Sequence, residues 1–178
     1  LGLLRLLSKV PLPLLYHVGT LLGDLLRVVI PSRRRIAERN LALCFPEKPT
    51  DEITAMTREN LRNTARMLLY TGYVWWASPQ QLMQNVRIRN PEVLDEVFAT
   101  GQGVIILAPH FLALELGGVY LSLRYRGVSV YQRTRNPVFD RYMLRARERF
   151  GARLFERKND LKRMVRAVRA GEACYYLP

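Results

Sequence analysis

The chain has 178 residues, 49% of them hydrophobic, and 28 Lys/Arg against 15 Asp/Glu give it a net charge of +13. That apolar content excludes a disordered chain and is enough for one domain with a core. The charge is uneven: residues 1–100 hold 13 Lys/Arg against 9 Asp/Glu, whereas residues 101–178 hold 15 against 6, so the positive field concentrates in the second part. Such a surface attracts a polyanion, whether nucleic acid, an anionic membrane face, a phosphorylated substrate or an acidic protein. The two cysteines, Cys44 and Cys174, match no zinc or disulfide spacing; no structural metal is implied, and two free thiols suit a reducing compartment. Starting at Leu1 and stopping in the apolar run "ACYYLP", the sequence reads as a fragment of something longer.

The opening "LGLLRLLSKVPLPLLYHVGTLLGDLLRVVIPSRRR" is Leu-rich but interrupted by Arg5, Lys9, Pro11, Pro13, His17, Asp24 and Arg27. It offers no clean transmembrane span of ~18 apolar residues. Leu-rich faces with intermittent cations suit helices lying at the headgroup boundary, and Arg33, Arg34 and Arg35 read as a contact for anionic lipid. Residues 1–31 are therefore expected to be a membrane-interfacial segment, and residues 32–178 the remaining domain. A packed amphipathic helix would share the same pattern.

From Ser32 to Trp76 the periodicity is helical, with Pro46 and Pro49 separating a short basic helix from a longer one over 51–76. After Pro79 strands and helices alternate. The pattern predicts strands at 86–90, 103–109, 128–132 and 173–177, and helices at 91–101, 112–126, 137–150 and 160–170. The run "GVIILAP" (103–109) reads as a strand of the buried parallel type. The fold class expected is thus α/β, a helical N-terminal section followed by a mostly parallel central sheet flanked by helices.

One stretch carries chemistry. In "APHFLALELGG" (108–118) His110 directly follows a strand, where parallel α/β sheets place their reactive groups. Glu115, five positions on, is the only acidic residue between Val97 and Phe139. A carboxylate on an apolar helix needs a partner, because an unpaired buried charge costs several kcal/mol. If His110 folds back over the first helical turn, Glu115 accepts a hydrogen bond from one ring nitrogen and the other takes a proton from a hydroxyl. No "GxSxG" elbow or nucleophilic cysteine accompanies the pair, so the hydroxyl belongs to a substrate. The spacing alone arises easily by chance, and a strand-end histidine is often only bonded to backbone.

Three segments together are more specific. "SRRRIAERNLALCFPE" (32–47), "GVIILAPHFLALELGG" (103–118) and "NPVFDRYMLRARERFGARLFERKNDLKRMVRAVRAGEACYYLP" (136–178) resemble the late acyltransferases of lipid A biosynthesis, over nearly the whole chain. The resemblance implies a glycerolipid acyltransferase-like fold, here truncated. It also implies transfer of a fatty acyl chain from acyl carrier protein to a hydroxyl of a lipid A precursor, at the cytoplasmic face of the bacterial inner membrane. His110 matches the family's base and Glu115 its acidic partner in the His-x4-Asp/Glu block. No cofactor is implied, the acyl carrier protein thioester being a co-substrate. Gln132 in "YQRTRNP" stands where the family commonly has an arginine, leaving Arg133 or Arg135 to replace it.

The acceptor's phosphates call for cations in fixed geometry. Arg133, Arg135 and Arg157, with Asn136 orienting their loop or bonding substrate directly, are the expected binding residues. The stripe Arg141, Arg145, Arg149 is a candidate surface for the acidic carrier protein or for the membrane. Backbone N–H groups at the start of the helix after His110 are candidates to stabilise the oxyanion. Alternative readings are a lysophosphatidate-type glycerolipid acyltransferase and a non-catalytic basic membrane-binding module. Nucleic acid is disfavoured, since the arginines lie on amphipathic helices without interleaved aromatics.

Overall fold

The computed structural model describes residues 2–177, and Leu1 and Pro178 lie outside them. Contacts divide the chain into two compact units, Gly2–Tyr73 and the residues from Val74 on.

The first unit is helical: α1 (Gly2–Leu7), α2 (Leu12–Val29), α3 (Pro31–Cys44) and most of α4 (Thr50–Trp76). Pro11 separates α1 from α2, and α2 ends at Ile30 before Pro31 begins α3, the first-turn position where a missing N–H costs nothing. Two glycines on α2 let α4 approach backbone to backbone. A Cβ on Gly23 would fall 2.3 Å from Arg62 Cα, and one on Gly19 would fall 2.8 Å from Arg66 Cα. Asp24, on the same side, accepts from Arg58 Nε at 2.8 Å and Arg62 Nη2 at 2.7 Å. Residues 2–31 thus share one compact unit with residues 32–73. The other side of α2 stays apolar and exposed at Leu14, Val18, Leu21, Leu25 and Val28, a single stripe by its spacing. By length and mean hydropathy (1.3) α2 also meets the minimum for a helix that crosses a membrane, despite the charges and prolines that interrupt the opening segment.

The second unit holds α5 (Pro79–Asn85), α6 (Pro91–Ala99), β1 (Val104–Leu107), α7 (Leu114–Arg124), β2 (Gly127–Tyr131), α8 (Pro137–Glu148), β3 (Arg153–Glu156), α9 (Leu161–Arg169) and β4 (Ala173–Tyr176). Among the described residues the strands form one sheet in the order β1-β4-β2-β3, every pair parallel, which bears out the α/β class. Strand side chains alternate between faces. Val128, Phe155 and Cys174 pack with Ala167, Met164 and Val168 of α9 on one face. Ser129, Leu154 and Tyr175, paired in register, look toward the other.

The structure corrects the expected elements in three places. Residues 86–90 form no strand; Val86 is extended in backbone angle, yet it and Arg87 line a cavity instead of joining the ladder. β1 is parallel but not buried on both faces: it lies at the sheet edge, where Ile105 is 68% and Leu107 66% exposed. β3 and α5 have no counterpart among the expected elements, although Ser78 and Gln81 form a capping box at the start of α5, Ser78 Oγ accepting from Gln81 N–H and Gln81 Oε1 from Ser78 N–H. Of the two adjacent tryptophans, Trp75 is buried, its ring 5.3 Å from that of Phe139.

Candidate active site

The chain leaves β1 at Leu107 and turns sharply. Phe111 N–H donates to Pro109 O at 2.8 Å, a three-residue turn with His110 at its apex, and Leu114 N–H then bonds Phe111 O as α7 begins. This turn presents the imidazole outward: His110 is exposed, immediately beyond the carboxyl end of a parallel strand. Its neighbours Pro109 and Phe111 line a cavity of about 580 Å³, within the size range of small-ligand sites. The walls are mainly apolar, from Leu107, Leu114, Val119, Val130, Leu154 and Leu177. The charged groups among its lining residues are Arg87, Glu115 and Arg147.

Glu115 sits in the first turn of α7, a position the helix dipole favours for an anion. Its carboxylate is held by Arg147 of α8: Nε donates to Oε2 at 3.2 Å and Nη2 to Oε1. The hydrogen bond expected from His110 is absent from this arrangement, in which arginine is the partner that an otherwise lone carboxylate requires. Arg147 was missed in the sequence, though a signal existed. It stands four residues after Met143 and seven after Asp140, both buried, and so on the inward side of α8, off the stripe Arg141, Arg145, Arg149.

Tyr175 also lines the cavity. Only 7% exposed, its hydroxyl has no hydrogen-bond partner among the described residues, and burial pushes the phenol well above the ordinary tyrosine range, so it stays a protonated donor.

The expected acceptor-binding residues are only partly brought together. Arg133 and Arg135 line a second cavity of about 520 Å³ beyond the end of β2, with Thr134, Asp140, Arg141 and Arg145. Asp140 is buried, and its Oδ1 accepts from Thr134 N–H at 2.7 Å, so its charge serves the loop. Arg133 also donates to Glu156 at 3.3 Å. Asn136 caps α8, its Oδ1 accepting from Val138 and Phe139 N–H at 3.0 and 3.1 Å, which orients the loop. Arg157 is exposed and absent from the lining of both cavities; its backbone N–H bonds Tyr131 O. The stripe divides as well, since Arg149 donates to Val74 O and Ala77 O at the end of α4, leaving Arg141 and Arg145 in the second cavity. Among the described residues no three His, Cys, Asp or Glu side chains converge where a metal ion would be held.

A family model described as bacterial lipid A biosynthesis acyltransferase matches residues 1–178. The chain belongs to this family. Among curated relatives, the lipid A biosynthesis lauroyltransferase of Escherichia coli (strain K12) is 32% identical over 178 residues, covering 100% of this chain and 58% of the relative. A lipid A biosynthesis acyltransferase of Haemophilus influenzae is 33% identical over 176 residues, covering 98% and 56%. The lipid A biosynthesis palmitoleoyltransferase of Escherichia coli (strain K12) is 30% identical over 178 residues, covering 100% and 58%. This chain thus spans somewhat over half the length of these lipid A acyltransferases, and its second unit carries His110 and Glu115.

Proposed function

We propose that the protein is an acyltransferase that moves a fatty acyl chain from acyl carrier protein to a hydroxyl of a lipid A precursor. The observation that supports this reading most is the outward-facing His110 beside an apolar cavity that Glu115 enters, in a chain matched end to end by the lipid A acyltransferase family. His110 accepts the proton of the acceptor hydroxyl as its oxygen attacks the thioester carbonyl. The carbon–sulfur bond then breaks, an ester forms, and the imidazolium returns the proton to the departing phosphopantetheine thiol. Glu115 steadies the positive charge that passes through the ring. The cavity's apolar walls suit a hydrocarbon chain, and Arg133 and Arg135 at the second cavity suit an acceptor phosphate, with Asn136 holding their loop. Arg157 retains an outer part in the same attraction. The exposed stripe of α2 supports residence on an anionic membrane surface, which we assign to the cytoplasmic face of the inner membrane.

Acyl transfer to a tetra-acylated lipid A precursor, measured with the full-length protein and each of two donors, acyl carrier protein thioester and acyl-coenzyme A, tests the reading. Transfer from the carrier protein is expected to dominate. No transfer to the precursor from either donor, with transfer to a lysophosphatidate instead, would replace it by the glycerolipid alternative.

A further inference from the structure

Resting on that reading of the reaction, we infer that Arg147 is the positioning residue of the catalytic pair, fixing the Glu115 carboxylate so that it can receive His110. Its guanidinium grips side-on, Nε to one carboxylate oxygen and Nη2 to the other, and such a fork sets the plane of the carboxylate as well as its place. Two contacts do not exhaust a carboxylate, which has about four acceptor positions. One on each oxygen remains for a further donor, and His110 is five residues away on an exposed turn.

The surroundings argue that this ion pair is part of the site. Glu115 and Arg147 come from different helices, α7 and α8, and both line the apolar cavity, with side chains 21% and 31% exposed. Arg87, from the segment before α6, is the other charged lining residue, and Tyr175 of β4 supplies the titratable phenol of the floor. Without Arg147 the carboxylate would stand alone against apolar walls and turn toward solvent or toward Arg87. In either position it no longer meets a ring presented at the apex of the Pro109–Phe111 turn. Arg147 thus acts through Glu115 and touches no reacting atom.

The test uses the full-length protein with Arg147→Gln, Arg147→Lys, Glu115→Gln, the double variant Arg147→Gln/Glu115→Gln, and His110→Ala as reference. Arg147→Gln should lower kcat about ten- to a hundredfold while KM for donor and acceptor changes by less than about twofold, the split expected when geometry rather than binding is lost. Arg147→Lys, keeping the charge without the fork, should recover part of kcat. The double variant should be no slower than Glu115→Gln alone, because a residue acting through Glu115 has nothing left to act on. Should Arg147→Gln fail to melt cooperatively, Arg147→Lys and the double variant, which leaves no unpaired charge, still decide the matter. Unchanged kcat in Arg147→Gln beside an inactive His110→Ala overturns this inference alone, as does strict additivity with Glu115→Gln. A fully active His110→Ala overturns the reading of the reaction, and this inference with it.

Discussion

At the scale of residues, the two cysteines show how environment separates identical groups. Cys174 is buried in the core with Val128 and Phe155, its sulfur 3.8 Å from that of Met164, and burial pushes its thiol up; Cys44 is exposed at the end of α3. A thiolate is the reactive form, so iodoacetamide should label Cys44 in the native protein and Cys174 only after unfolding, as peptide mass mapping can read. Asp24 is the converse case. The hydrogen bonds from Arg58, then Arg62, hold its carboxyl well below the ordinary range. A lowered folded-state pKa means stability present above the unfolded value of about 4 and lost progressively as pH falls below it toward the folded pKa. Asp24→Asn should therefore flatten the acid side of a plot of melting temperature against pH, while an unchanged slope would assign that loss to other carboxylates. The partner of Glu115, Arg147, is legible in the sequence only as one of many arginines. What sets it apart is the face of α8 it occupies, and that face is fixed by Asp140, Met143 and Ala146 packing inward.

At the scale of elements, close helix contact on α2 depends on the absence of a side chain. A Cβ at Gly23 would lie 2.3 Å from Arg62 Cα, and backbone on that side cannot rotate away as a side chain would. Gly23→Ala should destabilise the helical unit by about 1–3 kcal/mol despite alanine's better helix propensity, measurable by urea unfolding. A stabilised variant would mean that the two helices separate at low cost. The helices α3, α4, α6 and α8 were readable because their apolar positions recur every three or four residues between prolines and Gly101, whose φ of +68 suits a chain reversal. β3 was not readable, since "RLFE" is four residues with charge at both ends and only Phe155 buried. Residues 86–90 had strand composition without a partner, and pairing is a tertiary matter that composition does not contain. The segment holding His110 and Glu115 stands out in the sequence as a candidate site because it breaks an apolar run shortly after a strand. The partner that Glu115 takes was not, because it comes from a helix 32 residues away in sequence.

At the scale of the whole molecule, the +13 charge and the exposed stripe of α2 are the features on which the proposed membrane contact rests. Leu21 and Leu25, one turn apart, are 71% and 57% exposed, and replacing both with glutamate adds charge where an apolar face would meet acyl chains. The double variant should co-sediment less with vesicles containing anionic phospholipid than the wild type, at equal thermal stability. Binding unaffected by these changes but abolished by high salt would shift the contact to the arginines. The central claim concerns His110, exposed just beyond the carboxyl end of β1 beside the cavity. The most direct measurement is kcat for acyl transfer from acyl carrier protein to a lipid A precursor, full-length wild type against His110→Ala. A fall of about 10²–10⁴-fold with retained folding is predicted; a kcat within about twofold of wild type would contradict the account.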